Sequence, residues 1–188
     1  RLDFGVADAT AWEVGLSCGG KISVLVMVVS ETGFAPALLT DAAKSLAQRL
    51  PVGLCLPVNG GPAQQATSLP TASELVDDEF LFMQAPRPHI IIIGAVHISQ
   101  HLASMAMQSG FDVTVIDPRR TFATAERFSG IKLVFDWPDR VLGEMVLDQE
   151  TALVALTHDP KIDDAALHLV LGKPLFHIAC LGSRRTHA

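Results

Sequence analysis

The stretch His89-Ile90-Ile91-Ile92-Ile93-Gly94-Ala95-Val96-His97-Ile98-Ser99 decides how this chain is read. Its isoleucines form a continuous β-branched run, as expected of a strand buried on both faces of a parallel sheet. The run stops at Gly94, where a glycine permits a tight turn. From His97 to Ser109 the residues Ile98, Leu102, Met105 and Ala106 recur at helical spacing, and Gly110 is placed to cap the helix. Strand, glycine turn and helix in succession are the opening of a βαβ unit.

Downstream the rhythm repeats. Val113 to Ile116 predicts a second strand ended by Asp117-Pro118, Thr121 to Phe128 a short helix, and Ile131 to Phe135 a third strand. Pro138 to Val146 suits a helix, Ala152 to Leu156 a fourth strand, Ile162 to Leu171 a helix, and Phe176 to Leu181 a fifth strand. Strands alternating with helices and short loops imply right-handed crossovers and an α/β, Rossmann-like doubly wound parallel sheet. The strand order expected of that class is 3-2-1-4-5.

Upstream the pattern is less regular. Lys21 to Val29 reads as a strand, Ala37 to Arg49 as an amphipathic helix and Val52 to Leu56 as another strand. Asn59 to Thr71, rich in Gly, Pro, Gln and Ser, reads as an exposed loop. The Pro-rich junction Gln84-Ala85-Pro86-Arg87-Pro88 marks the domain boundary. It divides a smaller N-terminal α/β domain, residues 1–84, from the Rossmann-like domain, residues 85–188.

Composition narrows the function classes. Of 188 residues, 49% are hydrophobic and 18% charged, a globular balance with a sizeable core. The formal net charge is -6, so the basic face of a generic nucleic-acid binder is not expected. The apolar runs are far too short to span a bilayer, and no membrane association is expected. The chain opens on Arg1-Leu2-Asp3-Phe4 with no charged-then-apolar leader, and the absent initiator Met points to a fragment. Cys18, Cys55 and Cys180 are far apart with no CxxC spacing, which argues against a disulfide framework or thiolate zinc site and suits a cytoplasmic location.

In an open parallel sheet, ligands collect beyond the carboxyl ends of the strands, and four such ends carry chemistry here. Gly94-Ala95-Val96-His97 stands where a dinucleotide fold shows GxGxxG, and the helix beginning there offers free N–H groups to an anion. Val96 occupies the position of the second glycine, which normally lets the backbone approach a pyrophosphate. His97 is either a ligand contact or a helix-start residue packed on its neighbours. Asp117 is placed to accept hydrogen bonds from a ribose diol, with Arg119 beside it for a phosphate; the alternative is a turn aspartate followed by solvated arginines. Thr157-His158-Asp159 can position a polar ligand, although Asp159 before Pro160 is equally a turn or N-cap choice. Gly182-Ser183-Arg184-Arg185 joins a Gly-Ser turn to two guanidinium groups and suits an oxyanion best of the four. In the N-terminal part, Cys18 sits between glycines that leave its thiol uncrowded, as a reactive or metal-contacting cysteine requires. A lone cysteine is also often a small buried apolar residue.

Together these segments resemble the XdhC/CoxI family, accessory proteins of molybdenum hydroxylases such as xanthine dehydrogenase. The resemblance is carried by Trp12-Glu13-Val14-Gly15-Leu16-Ser17-Cys18-Gly19-Gly20, Ile93 to His97, Val115 to Arg119 with Phe122-Ala123-Thr124 and Glu126-Arg127-Phe128, Leu156 to Pro160, and Leu181 to His187. The order of motifs is more specific than any one of them. Two departures stand out. Val96 replaces the second glycine of the family's Gly-Ala-Gly-His turn. The N-terminal domain is also expected to be incomplete, and the chain to stop before the family's final helix and strand.

The resemblance implies a non-catalytic, nucleotide-binding accessory protein that binds and protects the molybdenum cofactor, as molybdopterin or its nucleotide form. It also implies support of the cofactor's sulfuration with a cysteine desulfurase, and insertion of the cofactor into the apo form of a molybdenum hydroxylase. This reading also admits a homodimer. On it, Cys18 contacts the molybdenum centre, while Gly94, Asp117 and the Arg184–Arg185 pair hold the pterin phosphate or an attached nucleotide. Ala95, His97, Arg119, Thr157, His158, Asp159, Gly182 and Ser183 complete the expected cofactor-binding set. Two other readings follow from the residues: an NAD(P)-dependent oxidoreductase, from Gly94 and Asp117, and a non-catalytic partner-docking domain, from Val96 and the expected truncation. No nucleophile, base and orienting group stand at a spacing that predicts catalysis.

Overall fold

The computed structural model describes residues 2–6 and 20–182, with the backbone alone at 2–6 and 20–22. It falls into two compact units, Arg1–Ala85 and Pro86–Ala188.

In the first unit, β1 (Leu2–Val6) pairs antiparallel with β2 (Gly20–Val24). Helix α1 (Pro36–Ala47) precedes β3 (Val52–Pro57), and β4 (Gln64–Gln65), β5 (Glu74–Val76) and β6 (Glu79–Gln84) follow. These last four strands form an antiparallel sheet in the order β4-β3-β6-β5. Side chains alternate across a strand, so Val52, Leu54 and Leu56 share the buried face of β3, with Leu38, Ala42 and Leu46 of α1 packed against them. The strand predicted over Lys21 to Val29 ends at Val24, and Val26 and Val28 are exposed. The loop predicted over Asn59 to Thr71 contains the short β4, and β5 and β6 are additions to the sequence-based reading.

The second unit is a five-stranded parallel sheet of β7 (His89–Ile93), β8 (Asp112–Ile116), β9 (Lys132–Val134), β10 (Thr151–Ala155) and β11 (His177–Cys180). Its order is β11-β10-β7-β8-β9, the predicted 3-2-1-4-5. Helices α2 (His97–Gln108), α3 (Pro138–Glu144) and α4 (Pro160–Val170) connect the strands. Ile91 and Ile93 lie in one core cluster, with Leu142 of α3 and Ile162, Ala166 and Val170 of α4. Ile92 lies in the other, with Ala103 and Ala106 of α2 and with Val113 and Val115. Both faces of β7 are therefore covered, which is why its sequence is continuously apolar rather than alternating. Burying each such isoleucine contributes about 2 kcal/mol.

Thr121 to Phe128, predicted to be helical, forms successive turns instead. Ala123 and Phe128 are buried in the second of these clusters while Arg127 donates to the Phe122 carbonyl, so tertiary anchoring replaces a regular helix. Among the described residues, no helix is long and apolar enough to cross a membrane.

Candidate functional site

Parallel register brings the carboxyl ends of the central strands into line. Ile93 pairs with Ile116 on one side and Ala155 on the other, and Ala155 pairs with Cys180. Gly94, Asp117, Thr157 and Gly182 thus leave one edge of the sheet, around the point between β7 and β10 where the chain's winding reverses. Crevices of doubly wound sheets open at such a switch point.

The turn after β7 is held from three directions. Gly94 N–H donates to the Ile116 carbonyl (2.8 Å), the buried Ser99 hydroxyl donates to the Gly94 carbonyl (2.5 Å), and Ala95 N–H donates to Asp117 Oδ2 (2.7 Å). Gly94 adopts φ of 105°, a conformation that side-chain-bearing residues rarely take. Val96, in contrast, has φ of -80° and ψ of 177°, ordinary extended backbone, so its β-branched side chain costs the turn nothing. Helix α2 starts without a capping side chain, which leaves its end free to meet an anion.

Asp117 is fully buried and its carboxylate is occupied. Besides Ala95 N–H, Oδ1 accepts from Arg119 N–H and Nε (2.9 Å each), and Oδ2 accepts from Arg119 Nη2 (2.8 Å). Burial alone would raise this carboxyl's pKa, but the bonds from Arg119 and Ala95 outweigh it and hold the group below the usual aspartate range. As the carboxylate stands, the ribose-diol role expected of it is taken up by a positioning one: it fixes Arg119. The Arg119 guanidinium stacks 4.6 Å from the centre of the Phe122 ring and keeps part of its surface open. The alternative of solvated arginines therefore fails for Arg119, while Arg120 is exposed.

The loop after β10 is organised by a second buried carboxylate. Asp163 accepts from Thr157 Oγ1 (2.7 Å) and Thr157 N–H (3.3 Å) through Oδ1, and from His158 N–H (2.8 Å) through Oδ2. Thr157 Oγ1 accepts from Asp159 N–H (3.0 Å), and Asp159 Oδ1 accepts from Lys161 N–H (3.0 Å), so Asp159 is the N-cap of α4. His158 is exposed and adopts φ of 60°. The carboxylates of Asp159 and Asp163 lie close enough to raise the Arg119 pKa further, after the dominant effect of its bond to Asp117.

The structure thus brings Gly94, Ala95, Asp117, Arg119, Thr157 and Asp159 into one bonded edge, with His97 and His158 exposed beside it. Cys18, Ser183, Arg184 and Arg185 lie outside the described residues, and Gly182 follows directly on the Leu181 N–H bond to the Ala155 carbonyl. Two contributors escaped the sequence-based reading. Ser99 and Asp163 sit within helices, and only their place in the first helical turns, where polar side chains reach back to loops, hinted at them.

A glycine turn, an uncapped helix and a buried aspartate at the switch point of a 3-2-1-4-5 sheet define a Rossmann-type domain. Residues 90–188 match the family described as XdhC Rossmann domain, and the chain belongs to that family. It is 30% identical over 99 residues to a probable xanthine dehydrogenase component of Bacillus subtilis (strain 168), a match covering 52% of this chain and 30% of that protein. It also superposes on the crystal structure of a xanthine dehydrogenase from Bacillus halodurans with a TM-score of 0.64 and 20% identity. That superposition covers 81% of this chain and 55% of the other, and it speaks for the fold alone. The chain therefore spans about half or less of the relatives it matches.

Proposed function

We propose that this protein is an accessory factor for an enzyme of the xanthine dehydrogenase type, holding the molybdenum cofactor at the carboxyl edge of its Rossmann sheet. The observation that carries the reading is Arg119, locked by Asp117 beside the Gly94 turn and the uncapped start of α2, in a member of the XdhC family. The outer Nη edge of this guanidinium, fixed in place by the bonds of its inner edge to Asp117 and set next to open helix N–H groups, fits a phosphate, the part of the cofactor that any form of it carries. From the sequence, Cys18 is the residue proposed to contact the molybdenum itself, its thiolate being soft enough for that metal. Arg184 and Arg185 would add charge to the same phosphate.

On this reading the protein protects the cofactor, supports its sulfuration by a cysteine desulfurase and passes it to the apo-hydroxylase, with no chemical step of its own. The NAD(P) alternative is weaker, because the acidic residue that would take the ribose is already saturated by Arg119 and Ala95. Purification from a cofactor-replete host, followed by molybdenum and pterin analysis, tests the proposal. The wild type should retain both, and Arg119→Ala and Cys18→Ala should each lose most of them. Equal retention by all three proteins, or tight NAD(H) binding without pterin, would overturn it.

A further inference from the structure

Two histidines stand on the first turns of α2: His97, which belongs to the expected cofactor-binding set, and His101, which does not. His97 and His101 are four residues apart, so they stand one above the other on one helix face. Both are exposed, and their ring centres are 5.0 Å apart with the planes inclined at 59°. Neither ring takes part in a hydrogen bond among the described residues, so their nitrogen lone pairs have no internal competitor.

That separation has a chemical meaning. With a metal–nitrogen bond of about 2.0–2.1 Å, an imidazole's centre lies roughly 3.2 Å from its metal, so two rings on one ion stand about 4.5 Å apart at a right angle and about 5.2 Å at the tetrahedral angle. The observed 5.0 Å falls between these limits. The ring centres thus stand at a separation that one shared ion allows, and the backbone between them is regular α-helix, so rotation of the two side chains is the ordering left to binding.

We propose that His97 and His101 form a two-imidazole site for a late first-row divalent cation such as Zn2+ or Ni2+. Imidazole suits these borderline ions, whereas Mg2+ and Ca2+ prefer oxygen. Among the described residues, no group of three or more His, Cys, Asp or Glu side chains is placed to hold a metal. The ion would therefore have two protein ligands and keep exchangeable positions for water or an incoming anion. The partial positive charge at the start of α2 works against a bare cation and favours one that has taken up an anion. The site does not rest on the cofactor proposal, although it shares His97 with the expected cofactor-binding set, and metal binding is read without the cofactor.

The test uses the full chain titrated with Zn2+ and, separately, Ni2+ in a non-chelating buffer, followed by calorimetry. One ion should bind per chain at this site, and His97→Ala and His101→Ala should each weaken it about a hundredfold, the gain that joining two ligands on one scaffold brings. The double variant should lose the residual one-imidazole binding as well, and His168→Ala, on another helix, should leave binding unchanged. Ring nitrogen spectra of the 15N-labelled protein should show two imidazoles shifting together at one equivalent of Zn2+. Binding that survives either single substitution, or a shift confined to one ring, would overturn the site. Because both positions are exposed, circular dichroism of each variant should match the wild type.

Discussion

A methyl group placed on Gly94 would lie 2.5 Å from Thr157 Cγ2, so the turn after β7 and the turn after β10 are packed against each other with no room to spare. The contact crosses the switch point of the sheet and joins the two halves of the site.

Gly94→Ala should therefore be costly on two counts, the unfavourable φ of 105° and the collision with Thr157. Together these should destabilise the protein by about 2–4 kcal/mol. Thr157→Ser removes the colliding methyl but not the backbone strain, so Gly94→Ala combined with Thr157→Ser should recover about 1 kcal/mol relative to Gly94→Ala alone. Urea unfolding of the four proteins completes the cycle, and strict additivity would show that the two turns are not coupled.

Asp117 gives the molecule an acid-sensitive element. Its folded carboxyl titrates below the unfolded one, despite burial, because Arg119 and Ala95 donate to it. Its stabilising contribution is thus complete above the ordinary aspartate value of about 3.9 and is lost as pH falls through the lower folded value. Asp117→Asn should cost about 2 kcal/mol at neutral pH and flatten the fall in stability below roughly pH 4. Denaturant midpoints measured from pH 7 to pH 3 would show this as converging curves, and parallel curves would contradict it.

His158 carries its side chain at φ of 60°, held there by the bond from its N–H to Asp163. His158→Gly should be neutral or stabilising by up to about 1 kcal/mol, whereas His158→Val should destabilise by about 1–2 kcal/mol. Asp163→Ala, which strands both Thr157 N–H and His158 N–H, should cost about 2–3 kcal/mol. Thermal unfolding separates these cases, and a destabilised His158→Gly would count against a backbone role for the turn.

Arg119 contributes shape as well as charge. A lysine keeps the charge but loses the fork that meets both Asp117 oxygens and the flat face stacked on Phe122. Arg119→Lys should cost about 1–2 kcal/mol of stability and should lower retention of a phosphate-bearing ligand severalfold. Retention equal to that of the wild type would place the ligand elsewhere.

Much of this was legible in residues 89–182. The four-isoleucine run, Gly94 and the spaced helices specify a parallel sheet because each signal is local and all agree. The first unit was harder to read. Phe80 to Met83 is an apolar run that follows Asp77-Asp78-Glu79, with Asp77 at φ of 51°, yet without a glycine to announce the hairpin turn. Lys21 to Val29 has strong strand propensity throughout but is paired as a strand only as far as Val24, with a lone bridge from Val29 to Phe34 beyond it, since propensity does not supply a neighbouring strand. Thr121 to Phe128 has helical spacing, but the burial of Ala123 and Phe128 prevails over it.

The succession of strands and helices along the chain, the glycine turn and the identity of the residues at the strands' carboxyl ends were determined by the sequence, because periodicity and turn chemistry act over a few neighbouring positions. What those residues do there was decided by tertiary structure alone. Whether Asp117 faces a ligand or grips Arg119, and that Ser99 and Asp163 brace the turns, depends on groups far apart in the chain meeting in a buried space. There an unpaired carboxylate would be costly, so the nearest donors claim it.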